Sequence, residues 1–155
     1  MIMVMTASQR TASQRTRLDT VLDLALARTL VLRHVDTPLG HHHGVSLSDL
    51  ALLLELRGAP DETLRRLDLA SRLGITPSGV ARQLAPLERI GLVGRESNPR
   101  DARLALVTLT ESGRRVADEA RATAEEAAEG ALSAIWPDAD RAALATLLAA
   151  VGRSS

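Results

Sequence analysis

Cysteine, phenylalanine, tyrosine and lysine are all missing from this chain of 155 residues, and Trp136 is its one tryptophan. Without cysteine there are no disulfides, no thiolate metal ligands and no cysteine redox sensor. Without phenylalanine and tyrosine the core has to be aliphatic, mostly Leu, Ala and Val, which favours helix packed on helix. No run approaches the roughly 18 apolar residues of a membrane span, and Met1 to Met5 is too short for a signal-peptide core. The expectation is a cytoplasmic protein with no membrane partner. Raw material for catalysis is thin as well: there is no Gly-rich phosphate loop, no nucleophile elbow and no paired acid/base set, so neither an enzyme nor a cofactor is expected.

What is present is unevenly distributed. Formal net charge is zero, yet residues 57–115 carry 11 arginines against 7 acids, and residues 116–155 carry 3 arginines against 7 acids. A positive middle followed by a negative end is an electrostatic footprint for phosphate. All the permanent positive charge is guanidinium, which suits bidentate phosphate and guanine contacts, although an arginine-biased composition explains the missing lysine equally well.

Along the chain, residues 1–16 read as a flexible tail containing the duplication TASQR, Thr6–Arg10 and Thr11–Arg15. Residues 17–44 read as a helix and loop. Leu18, Val21, Leu22, Leu24, Leu26, Leu30, Val31, Leu32 and Val35 cover most of the helix circumference, so that helix needs cover on several sides, most simply from a second subunit. Thr37-Pro38-Leu39-Gly40 is expected to stop it, leaving His41 to Gly44 as a loop. Ser46 or Ser48 caps a Leu-rich helix that ends near Gly58-Ala59-Pro60, and Thr63 to Arg66 suggests a short strand.

The segment from Asp68 to Leu109 has the clearest punctuation. A compact helix over Asp68–Leu73 closes on Gly74, Thr76 is an N-cap type, and Pro77 sits at the first helical position, where its missing N–H is harmless. Val80, Leu84 and Leu87 then face inward, which puts Ser78, Gly79, Arg82 and Gln83 outward. Pro86 predicts a kink or a loosened last turn, and Gly91 ends the helix. Leu92–Arg95 and Arg103–Leu109 read as two strands joined by the turn Asn98-Pro99-Arg100-Asp101. Thr110 caps a long Ala-rich helix with Val116, Ala120, Ala124, Ala127, Ala131 and Ile135 near one face. Pro137 breaks that helix, and a last one carries Leu144, Leu147, Leu148 and Val151.

This order resembles the MarR (multiple antibiotic resistance regulator) family of dimeric winged-helix transcription factors. The resemblance rests on LGITPSGVARQLAPLERIGLV (Leu73–Val93), the wing NPRDAR (Asn98–Arg103) and the strand-to-helix junction LVTLTESG (Leu106–Gly113), about 40 residues together. Two departures stand out: Pro86 lies inside the recognition helix, and Gly113 stands where a capping-box Glu would be stronger. The implied fold is mainly α with a small β-hairpin wing. Residues 45–109 form the winged helix-turn-helix, and residues 17–44 and 110–155 supply dimerisation helices within one MarR-type domain.

The expected partner is double-stranded DNA with a pseudo-palindromic operator, read by a homodimer. Thr76 and Ser78 at the recognition-helix N-terminus suit phosphate, Gly79 allows close backbone approach, and Arg82 and Gln83 can read guanine and adenine. Arg95, Asn98, Arg100, Asp101 and Arg103 make up the wing contribution, with Asp101 implied by the resemblance to orient a neighbouring arginine. Arg65, Arg66 and Arg72 are further phosphate candidates. The resemblance also implies repression relieved by a small, often aromatic, effector; His34 and Arg57, polar ends of apolar helices, are candidates to line its cleft. Two alternatives stay open: a metal-responsive regulator using the His41–His43 loop, although no metal ligand set is expected, and a winged-helix module that binds protein.

Overall fold

The computed structural model describes residues 16–98 and 101–152, except for the side chains of residues 96–98, 101–104, 139 and 152. Six α-helices and three strands follow in the order α1 (Arg17–His43), α2 (Leu47–Arg57), a 3₁₀ turn (Pro60–Glu62), β1 (Thr63–Arg65), α3 (Arg66–Leu73), α4 (Pro77–Arg89), β2 (Val93–Asn98), β3 (Asp101–Leu109), α5 (Glu111–Ile135) and α6 (Asp138–Gly152). The strands form one antiparallel sheet in the order β1-β3-β2. The result is a mainly helical protein with a small sheet, as the aliphatic composition requires.

Local chemistry sets most boundaries. Thr16 and Asp19 form a reciprocal capping box at the start of α1, and Ser46 and Asp49 form another at the start of α2. Thr16 therefore belongs to the helix rather than to a tail; residues 1–15, with the TASQR duplication, lie outside the described residues. Both α3 and α4 end in Schellman closures. Gly74 (φ 64°) lets the Ile75 N–H reach the Ala70 carbonyl at 3.1 Å, and Gly91 (φ 75°) lets the Leu92 N–H reach the Leu87 carbonyl at 2.9 Å.

Two expectations are corrected. Pro38 does not stop α1: the helix runs to His43 and closes on Gly44 in the left-handed region. The bond lost at Pro38 is to the His34 carbonyl, and complete burial of Leu39 beyond it holds the extra turn in place. His41–His43 are consequently the last turn of a helix, not a loop. Pro86 lies inside α4 as read from the sequence, and the helix continues to Arg89 with Leu84 and Leu87 buried on either side of the proline. The hairpin strands also run further toward the tip than the turn residues suggested, ending in the pair Asn98–Asp101.

The core lies where α2, α3 and α4 meet the sheet and the first half of α5. Leu50, Leu52, Leu53 and Leu56 of α2, Leu69 of α3 and Val80, Leu84 and Leu87 of α4 are buried, against Val93 and Val107 of the sheet. From α5 come Gly113, Ala117, Ala120, Ala124 and Ala131, a stripe of small residues that lets α1 and the winged unit approach closely. Gly113 is the extreme case: a Cβ there would stand 1.9 Å from the Leu92 carbonyl oxygen. A Glu at that position, which capping chemistry alone favours, has no room.

Thr110 fastens the same junction. Its hydroxyl lies 2.7 Å from the Gly91 carbonyl and 3.0 Å from that of Leu92, and it also accepts from the Gly113 N–H. Nearby, Asp61 and Glu62 adopt positive φ (53° and 52°), which is costly for residues with a Cβ. Glu62 is held there by Arg57 of α2 (Nη1 to Oε1, 2.7 Å) and by Arg114 of α5, whose Nε lies 3.0 Å from both carboxylate oxygens. One half-buried carboxylate thus ties α2, the root of β1 and α5 together.

Candidate nucleic-acid interface

The candidate reading surface is built from the start of α4 and the β2–β3 hairpin. Thr76 caps α4 by accepting from the Gly79 N–H (3.1 Å), and its hydroxyl meets that of Ser78 at 3.0 Å. Pro77 occupies the first helical position, so the N-terminal turn starts with one fewer donor to satisfy. Thr76, Ser78 and Arg82 are exposed, and Gly79 and Gln83 are half-buried. With Gly74 and Ile75, the residues Thr76, Gly79, Arg82 and Gln83 border an open groove of about 600 Å³ beside the α3–α4 turn. A Cβ on Gly79 would lie 3.2 Å from the Thr76 hydroxyl oxygen, so a larger residue would press on the cap itself.

Several arginines are already engaged within the protein. Arg95 on β2 pairs with Glu88 on α4 (2.8 Å), bracing the hairpin against the reading helix. Arg72 pairs with Glu55 at 3.3 Å. Arg65 is exposed, whereas Arg66 is half-buried with its Nε shielded and without a hydrogen-bond partner. Gln83 donates from Nε2 to Asp49 Oδ1 of α2 at 3.3 Å, a contact between residues 34 apart that no local pattern announces. At the wing, Asn98 and Asp101 face each other as the last pair of the hairpin. Arg100 and the side chains of Asn98, Asp101 and Arg103 lie outside the described residues.

A second concavity, of about 1030 Å³, lies between α1 and α5. Leu30, Pro38, Ala127, Ala131 and Ile135 give it apolar walls, and Arg33, His34, His42, His43 and Glu126 add polar groups. His34 therefore borders this cavity. Arg57 does not: its guanidinium is spent on Glu62 and, at 3.4 Å, on Asp118. In the last turn of α1 the His41 and His42 rings meet edge to face with centroids 5.0 Å apart, and the His42 and His43 rings follow at 6.2 Å. His43 bonds the Thr123 hydroxyl through Nε2 at 2.8 Å. Among the described residues no group of three His, Asp or Glu side chains is arranged to hold a metal ion.

Charge acts locally at two pairs among the described residues. In one, hydrogen bonds from Arg141 and Ser133 hold the Glu129 carboxyl below the usual range, with Arg141 raised in return. Hydrogen bonding to Arg114, with the added charge of Arg114 and Arg57, holds the Glu62 carboxyl below the usual carboxylate range and raises Arg114 in return. Among the described residues, no helix is long and apolar enough to cross a membrane.

Comparison with known proteins agrees with this geometry. A family model described as MarR family matches residues 43–104. An HTH-type transcriptional regulator of Mycobacterium leprae is 35% identical over 113 residues, covering 71% of this chain and 73% of that protein. An HTH-type regulator of Bacillus subtilis is 39% identical over 71 residues, which span 46% of this chain and only 42% of the relative. Among solved structures, a MarR-family regulator of Streptomyces coelicolor in complex with DNA superposes with a TM-score of 0.74 at 26% identity, covering 90% of this chain and 89% of that one. CouR of Rhodococcus jostii, bound to p-coumaroyl-CoA, gives 0.68 at 26% identity, covering 86% and 92%. Both curated relatives and the Streptomyces protein are described as transcriptional regulators.

Proposed function

The chain belongs to the MarR family of transcriptional regulators, and from that premise we propose that it is a dimeric repressor whose α4 enters the major groove while the β2–β3 wing reaches the adjacent minor groove. The observation that carries this reading is the two-sided build of α4. Val80, Leu84 and Leu87 are buried, while Ser78 and Arg82 stand exposed beside a capped N-terminus. Ser78, with its hydroxyl and its backbone N–H, binds phosphate, because Pro77 has no N–H, that of Gly79 is taken by the cap, and the helix dipole favours an anion there. Arg82 reads guanine, a bidentate contact that discriminates by about 1–3 kcal/mol. Thr76 and Gly79 shape the approach. Asn98, Arg100, Asp101 and Arg103 serve the wing, and Arg95 steadies it from Glu88.

Pairing uses residues 17–44 and 110–155. The first half of α1 exposes Leu18, Val21, Leu22, Leu24 and Leu26, each at 58–65%, and α6 exposes Leu147, Leu148 and Val151. So many large aliphatic side chains on two helices exceed what a monomer leaves to water, and a second copy of the chain is the simplest cover. The α1–α5 cavity is the place for an effector, a small and largely apolar molecule with a polar group directed at Arg33 or His34. The ligand-bound Rhodococcus relative supports this use of the fold. The test is binding to the chain's own upstream DNA, followed by fluorescence anisotropy. Arg82→Ala should weaken specific binding about tenfold or more while leaving random-sequence binding nearly unchanged. Equal affinity of wild type and variant for every sequence would remove Arg82 from the reading surface.

A further inference from the structure

We propose that Asp49, on α2 and outside the reading helix, determines base specificity by fixing which end of the Gln83 amide faces DNA. The inference rests on α4 lying in the major groove. Asp49 divides its carboxylate between two tasks. Oδ2 accepts from the Ser46 N–H (3.0 Å) and the Ser46 hydroxyl (2.7 Å), completing the α2 cap. Oδ1 accepts from Gln83 Nε2 at 3.3 Å. An ionised carboxylate accepts and never donates, so only the nitrogen end of the amide can face it.

This assigns the amide orientation on chemical grounds: Nε2 is turned to Asp49 and the carbonyl Oε1 is turned away from it. Gln83 follows Gly79 by one helical turn and borders the same groove as Arg82. An outward carbonyl accepts from the exocyclic amines of adenine and cytosine, and is repelled by the keto oxygens of guanine and thymine. The two-point adenine contact that the residue type suggests needs both amide atoms, and the nitrogen is already engaged. Gln83 thus selects for a base bearing an amine, and Asp49 is the positioning residue behind that choice.

Asp49→Asn reverses the arrangement without changing shape. Its oxygen can keep the cap on Ser46 while its new N–H₂ faces Gln83, which then presents Oε1 inward and its own N–H₂ outward. Selection of random-sequence DNA by the full-length protein reads the outcome. The wild type should prefer adenine or cytosine at one position per half-site, Gln83→Ala should flatten that position alone, and Asp49→Asn should move it toward guanine or thymine by roughly threefold to tenfold, the range of one net hydrogen bond.

Ser46→Ala weakens the same cap but leaves Oδ1 on Gln83, so it should keep the wild-type preference. A change matching that of Asp49→Asn would assign the effect to the cap and overturn the proposal. If Asp49→Asn does not fold by circular dichroism, Asp49→Ser replaces it: the shorter hydroxyl can cap but cannot reach Gln83, and an undiminished preference overturns the proposal. A specific wild type whose profile Asp49→Asn leaves unmoved overturns the Asp49 role alone. A wild type that enriches no sequence overturns the DNA-reading function itself.

Discussion

Glu62 shows how much a single side chain can organise here. It sits at positive φ, half-buried, with two guanidiniums from different helices on its carboxylate. Its folded-state pKa is depressed, so its contribution is fully present above the unfolded carboxylate value of about 4.3 and is lost as pH falls through the lower folded value. Thermal melts of wild type and Glu62→Gln should therefore differ most near neutrality and converge in acid; a constant gap across that range would mean the carboxylate charge is not what holds the turn. None of this was legible in the sequence. Asp61 and Glu62 carried no signal of their own, and Arg57 was read as a candidate to line a cleft, because pairs 5 and 52 residues apart are set by the tertiary fold. The bond from Asp49 to Gln83 escaped notice for the same reason. Caps could be read, since Thr76, Gly74, Gly91 and Thr110 act within a few residues of themselves.

At the level of elements, local signals located every helix and strand, and the one proline misjudged was Pro38, which packing overrides. Pro38 and Pro86 each remove a helix bond, yet Leu39 and Leu87 beyond them are almost fully buried, and burying a Leu is worth roughly 1.5–3 kcal/mol. That is enough to carry a helix past one lost bond. Gly113 carries the opposite lesson, a residue judged weak by capping rules and required by contact. Gly113→Ala should destabilise the protein by about 3 kcal/mol, the upper end for overpacking, because the atoms in the way are backbone and cannot rotate aside. Chemical denaturation measures it. A loss under 0.5 kcal/mol, the range for a neutral surface change, would show that α5 can slide away from Leu92 without penalty.

For the whole molecule, the imbalance between a positive middle and an acidic C-terminal part, together with helices too apolar for water, underlies the proposal of a nucleic-acid partner and a second subunit. The α1–α5 cavity was not foreseeable as a place, because it depends on how α1 crosses α5; only His34, at its edge, stood out. Leu22→Glu puts a charge on the exposed apolar stretch of α1. It should shift the protein to monomer in analytical ultracentrifugation and weaken operator binding at least tenfold with the winged unit still folded. A wild type that sediments as a monomer at all concentrations would refute the pairing. The affinity of the intact dimer should also fall steeply with salt, since each phosphate contact releases counterions.

The junction at Gly113 has a mechanical consequence. Glycine against carbonyl, locked by the Thr110 hydroxyl, leaves no slack between the end of α4 and the first turn of α5. Helix α5 has 25 residues and is therefore about 37 Å long. Were α5 to pivot at its far end, beside the α1–α5 cavity, a tilt of roughly 5° would sweep the near end through about 3 Å, close to the ~3.4 Å step between stacked bases. On the proposed reading, a movement smaller than a side chain at one end of the protein would then become a mismatch of one base pair at the other.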